Sequence, residues 1–208
     1  MLRKAFFYLF AALVASVCAI AINAPAKAGG PEGGQPLKVT GRAEAPIGYV
    51  QFCADHPGEC APAPSQPRRV VLSAAVWSEL NRINTEINAE ITPATDLEIY
   101  GVLEHWTFPE GIGDCEDYVL LKRQRLIEAG WPRETLLISV VRDEKGEGHA
   151  VLTVTTDRGD FVLDNQRDDI RAWHRTGYSF VKRQSQNDVN RWVYVGEPNS
   201  PVGVASAR

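Results

Sequence analysis

The stretch Gly113-Asp114-Cys115-Glu116-Asp117-Tyr118 constrains this chain more than any other, because it ends a turn and starts a helix with a cysteine at the joint. Pro109-Glu110-Gly111-Ile112-Gly113 supplies the turn. The spacing then predicts a helix from Glu116 to Ala129. Val119 and Leu120 recur seven residues later as Leu126 and Ile127, and Tyr118 and Leu121 widen the apolar stripe. Gly130 and Trp131-Pro132 stop the helix. Cys115 is thereby placed at the helix N-terminus, one turn before Val119. Unpaired N–H groups and the positive end of the helix dipole favour a thiolate there.

On either side of this joint the hydrophobic period changes. Ser73 can cap a helix running to about Ile91, with Val76, Leu80, Ile83 and Ile87 as its stripe and Trp77 broadening it. Thr92-Pro93 ends that helix, and Asp96 to Trp106 reads as irregular. After the central helix the period is two. Thr135 to Arg142 predicts a buried strand. His149 to Thr155 and Asp160 to Asp164 predict a hairpin around Thr156-Asp157-Arg158-Gly159. Tyr178 to Arg183 and Arg191 to Val195 predict two more strands. Helices first and strands after is an α+β plan with an antiparallel sheet, the nucleophile-bearing helix packed on it.

The first 28 residues read as a secretory signal, with basic Arg3 and Lys4, an apolar stretch from Ala5 to Ile22, and an Ala26-Lys27-Ala28 cleavage site. The apolar stretch is just long enough to span a membrane, so an uncleaved inner-membrane anchor is the alternative. Residues 29–69 follow as a flexible Pro/Gly-rich arm, 70–196 as one domain, and 197–208 as a tail. Losing the signal removes Arg3, Lys4 and Lys27 and no acid, which moves the formal charge from −4 to −7 and argues against nucleic acid as a partner. The compartment implied is the periplasm, which is oxidising.

That compartment makes the cysteine count informative. Cys18 leaves with the signal, and Cys53 and Cys60 flank a turn-rich loop that can close as a disulfide. Their spacing matches no zinc pattern. Cys115 is then the odd thiol, a candidate nucleophile. The hairpin carries its candidate partners. With Thr155 opposite Asp160, Asp164 faces Val151, so His149 and Asp164 are diagonal neighbours on one face of the sheet. An imidazole that takes a thiol proton, and a carboxylate that fixes its tautomer, need this arrangement. A strand histidine or a strand-end aspartate alone is usually structural; the three together are a stronger signal. His56, His105 and His174 have no such partner in the sequence.

Four blocks carry a resemblance: Trp106-Thr107-Phe108-Pro109-Glu110, Gly113 to Tyr118, Gly148-His149-Ala150-Val151-Leu152 and Leu163-Asp164-Asn165. Across roughly Val70 to Val195 the chain resembles the bacterial transglutaminase-like cysteine proteinases, the group that contains the periplasmic LapG-type proteases. The resemblance implies a papain/transglutaminase-like core and a periplasmic cysteine endopeptidase. Its triad would be Cys115 as nucleophile, His149 as general base and Asp164 as orienting carboxylate. It also implies a calcium ion held by Asp114 and Glu116, an exported or surface adhesin-like protein as substrate, a role in biofilm release, and an inner-membrane regulatory protein as partner. The Cys53–Cys60 loop is no part of that pattern. Transfer of the same thioester to an amine, as in a transglutaminase, and a non-catalytic binding module on the same fold are the competing readings. Adjacent carboxylates disfavour a thiolate, and a bound hard cation would reverse that local field. Carbonyls of the Pro109 to Gly113 turn would complete its shell.

Overall fold

The computed structural model describes residues 31, 33–61 and 66–196. The expected signal segment, most of the proline connector after Cys60 and the expected tail lie outside the described residues. The elements run β1 (Val39–Ala43), α1 (Ile47–Asp55), α2 (Ala74–Glu90), β2 (Thr92–Pro93), α3 (Asp96–Tyr100), β3 (Ile112–Gly113), α4 (Cys115–Glu128), β4 (Leu136–Arg142), β5 (Gly148–Thr156), β6 (Gly159–Leu163), β7 (Arg171–Ala172), β8 (Ser179–Ser185) and β9 (Asp188–Val195). Short 3-10 turns precede β4 and β8. The class is α+β. Among the described residues, seven strands form an antiparallel sheet in the order β1-β9-β8-β4-β5-β6-β7. No described helix is long and apolar enough to cross a membrane.

Local chemistry explains the helices. Ser73 caps α2 by accepting from Val76 N–H at 3.2 Å. Leu80, Ile83 and Ile87 of its stripe are buried. α4 ends where Gly130 takes φ of +94°, a conformation that suits glycine. The two helices pack together, and α4 lies on β5. Period-two burial splits the sheet faces. Ile138, Val140, Ala150, Leu152 and Val154 join the helices in the main core. Val141, Val151, Val162, Tyr178 and Phe180 form a second cluster on the opposite face, with Leu37 from the N-terminal segment.

Two expectations are corrected. The segment read as a flexible arm contributes the edge strand β1, paired with β9, and the helix α1. Asp160 accepts from Leu37 N–H at 2.9 Å and so fixes the segment across the sheet. The segment read as irregular contains α3, started by a Thr95–Glu98 capping box and stopped by Gly101 in the left-handed region. Thr92-Pro93 ends α2 as expected, but then pairs in parallel with Ile112-Gly113. This short pair brings the start of α3 beside the start of α4.

Candidate active site

Three elements meet at one corner of the sheet: the start of α4 with Cys115, the start of β5 with His149, and the end of β6, after which comes Asp164. The β5–β6 ladder stops at the pair Leu152 and Leu163. On the edge left open beyond it, the Ala150 N–H donates to Cys115 Sγ at 3.4 Å. His149 pairs with Val141 across β4 and lies two residues from Val151, so its side chain belongs to the face opposite α4. The site therefore straddles the sheet edge, with the thiol approaching from the helical face.

On the imidazole side the polar groups are paired closely. His149 Nε2 donates to Asp164 Oδ1 at 2.9 Å. Gln166 N–H donates to the same oxygen at 3.0 Å, and the Tyr178 hydroxyl donates to Asp164 Oδ2 at 2.6 Å. Burial alone would push the Asp164 carboxyl up, but the His149 bond and charge, with the Tyr178 and Gln166 donors, hold it below its ordinary value. The carboxylate is thus ionised against a fully buried imidazole. Nδ1 of His149 has no hydrogen-bond partner and is the nitrogen left to act as a base.

On the thiol side the arrangement differs from the one a helix terminus suggests. Cys115 is wholly buried, and its thiol donates to Glu116 Oε2 at 2.9 Å rather than to His149. Burial raises the thiol well above its ordinary pKa, and the charges of Glu116 and Asp114 raise it further. A helix N-terminus contributes about 0.3–1 kcal/mol to a nearby anion, and at most about 2 kcal/mol where it is partly buried. An unpaired buried charge costs several kcal/mol, so burial wins and the neutral thiol is the resting form.

The acids around Cys115 separate into two groups. Asp117 turns away and accepts from Thr107 N–H at 3.0 Å and Asp114 N–H at 3.4 Å. It stands so close to Gly113 that a β-carbon there would lie 2.6 Å from Asp117 Oδ2. Asp114 and Glu116 turn to a common point, and Asp96 from the first turn of α3 meets them there. Their oxygen ligand atoms lie within 4.8 Å of one another, all three residues being buried. Both Asp114 oxygens and Asp96 Oδ1 have no partner, and Asp96 Oδ2 accepts from His105 N–H. Burial lifts Asp114 to about 6, aided by the Asp96 charge, and lifts Glu116 well above the carboxylate range, aided by Asp114. Burial also lifts Glu104 at the rim to about 7, with Asp114 and Asp96 raising it further. Three convergent carboxylates without a neutralising side chain are suited to a hard cation.

Asp96 and Tyr178 are the residues of this corner that sequence reasoning missed. The Thr95-x-x-Glu98 signature could have revealed the helix start that positions Asp96. The carbonyls of Gly111 and Gly113, expected to serve the cation, instead accept from Thr92 and Ala94 N–H at 2.9 and 3.0 Å. The Trp106 indole donates to Glu104 Oε2 at 3.0 Å. Cys53 and Cys60 form a disulfide, with Cα atoms 5.4 Å apart, and Cys115 is the free cysteine among the described residues.

Comparison with known proteins adds a family match. The family model described as "Bacterial transglutaminase-like cysteine proteinase BTLCP" matches residues 39–200. Among solved structures, calcium-bound LapG of Legionella pneumophila is 25% identical, with 62% of this chain and 76% of that chain covered and a TM-score of 0.49. EGTA-treated LapG of the same organism is 22% identical, with 62% and 72% covered and a TM-score of 0.48. No curated protein matches the sequence.

Proposed function

This chain belongs to the bacterial transglutaminase-like cysteine proteinases and is a cysteine peptidase of that type; from that premise we propose that it is an exported, periplasmic endopeptidase acting through Cys115, His149 and Asp164 on an exported, adhesin-like surface protein. The observation that carries the site assignment is the buried His149–Asp164 pair at 2.9 Å, with Nδ1 of His149 unpartnered and the N–H of the next residue, Ala150, donating to Sγ of Cys115, the free cysteine of the described residues. The reaction is acyl transfer. Nδ1 of His149 takes the thiol proton as Sγ attacks the scissile carbonyl carbon. The imidazolium then returns the proton to the leaving amine as the C–N bond breaks, and water hydrolyses the thioester. The Cys115 N–H, unpaired at the start of α4, would donate to the oxyanion.

We further infer that Asp96, Asp114 and Glu116 hold calcium. Support comes from the three unpartnered oxygens of Asp96 and Asp114 and from an all-oxygen donor set. When bound, calcium would be held by the carboxylates of Asp96, Asp114 and Glu116 and would supply positive charge beside the start of α4.

The test is incubation of exported surface proteins of the same cell with wild type and with Cys115→Ala, in calcium, followed by mass spectrometry. Cleavage that needs Cys115 supports the reading. Cross-linked products without new termini would replace it with transamidation, and no change in any substrate would leave the binding-module alternative standing.

A further inference from the structure

We propose that Tyr178 is a positioning residue for His149, locking the tautomer that leaves Nδ1 bare. The inference rests on the reading of Cys115, His149 and Asp164 as the reacting groups. Tyr178 lies immediately before β8, and β8 is separated from β5 by β4, so its place is set by the sheet order rather than by the hairpin. Its hydroxyl donates to Asp164 Oδ2 at 2.6 Å. Its ring meets the His149 ring edge-on, with centroids 5.7 Å apart and planes at 86°. One side chain therefore touches both members of the pair.

A carboxylate can rotate about its own axis and offer either oxygen to an imidazole. Here Oδ1 already accepts from His149 and from Gln166 N–H, and Oδ2 is taken by Tyr178. With both oxygens occupied, the carboxylate has one orientation, and the proton of a neutral imidazole stays on Nε2. Arg167, paired with Glu144 at 2.7 Å, places its charge beside the same hydroxyl. Glu144 in turn contacts Gly177, the residue before Tyr178, where a β-carbon would lie 2.9 Å from its Oε1. The buried pair is thus tied to a surface ion pair through one phenol.

The decisive variant is Tyr178→Phe, which keeps the ring and removes the hydroxyl. The readouts are the side-chain nitrogen NMR signals of His149 and steady-state turnover of a cleaved substrate. Wild type should show the Nε2–H tautomer, and Tyr178→Phe a mixture of tautomers. Turnover should fall roughly 10–100-fold, the usual cost of losing an outer hydrogen bond to an active-site ligand, with KM changed less than about twofold. An unchanged His149 signature overturns the proposal, even if turnover drops. If wild type cleaves nothing while its tautomer is locked and Tyr178→Phe unlocks it, the peptidase reading fails and the positioning role stands. Should the phenylalanine variant not fold, 3-fluorotyrosine at position 178 keeps the size and strengthens the donor. The His149 signals should then shift, and their failure to move counts against the proposal.

Discussion

The Cys115 thiol donates to the carboxylate of its own neighbour, Glu116, at 2.9 Å, while the bare nitrogen of His149 has no partner. Without a cation, this contact holds the nucleophile's proton on the wrong side. Glu116→Gln removes the carboxyl group whose ionised form raises the thiol's pKa and keeps the side chain's size. In excess chelator at pH 9, where more of Glu116 is ionised than at pH 7, alkylation of Cys115 by iodoacetamide should speed up at least about fivefold in this variant. An equal rate in wild type and variant would show that Glu116 does not restrain the thiol.

Closing of the Cys53–Cys60 disulfide leaves Cys115 as the one thiol to titrate between residues 29 and 208. Alkylation of the denatured mature protein without reductant should modify one site. The loop also carries Glu59, whose carbonyl accepts from Arg133 and whose carboxylate lies 3.9 Å from buried Arg123. Replacing both cysteines by alanine should cost about 2.5 kcal/mol, the chain-entropy value for so short a loop. Denaturant titration measures it, and label at Cys53 or Cys60 in the wild type would refute the pairing in solution.

His149 and Asp164 should differ in severity because their tasks differ. In the proposed mechanism His149 moves the proton, so His149→Ala should lower kcat by about 10³-fold or more. Asp164, in the same mechanism, only orients and stabilises the imidazole. Asp164→Ala should retain roughly tenfold more activity than His149→Ala. Circular dichroism checks that each variant is folded. Full activity in either one removes that residue from the site.

Legibility in the sequence followed the range of the contact. Cys115 stands at a turn-to-helix joint, and His149 and Asp164 are linked by a hairpin whose register follows from its own loop; both relationships are local. The observed pairing of Thr155 with Asp160 is the expected one. Asp96 reaches the acidic corner only through the parallel pair of Thr92-Pro93 with Ile112-Gly113, a contact between segments with no shared periodicity. Tyr178 reaches Asp164 because β8 lies beside β4, an order that alternation within each strand does not encode. β1 was hidden for a different reason. It is a five-residue edge strand with four exposed positions, so burial imposes no pattern on it.

The acidic corner makes a joint prediction about pH and calcium. In the fold, burial and neighbouring acids push Asp114 up to about 6 and Glu104 to about 7, and burial pushes Asp117 to about 8. Their ordinary values are 3.8 for the aspartates and 4.5 for the glutamate. Between those limits the folded protein binds more protons than the unfolded chain, so stability falls as pH rises through the window. In chelator, Tm should therefore drop by at least about 5 °C from pH 5 to pH 8. Calcium held by the ionised carboxylates, as proposed, would stabilise the fold according to its affinity, so it should flatten this slope and raise Tm most at pH 8. Magnesium, which gives up its waters reluctantly, should do so less well. Asp96→Asn removes one of the three convergent charges and should weaken the calcium response while reducing the pH slope in chelator. A wild-type melting curve that ignores calcium at pH 8, with chelator shown to have removed the ion beforehand, would mean that these acids serve the fold alone.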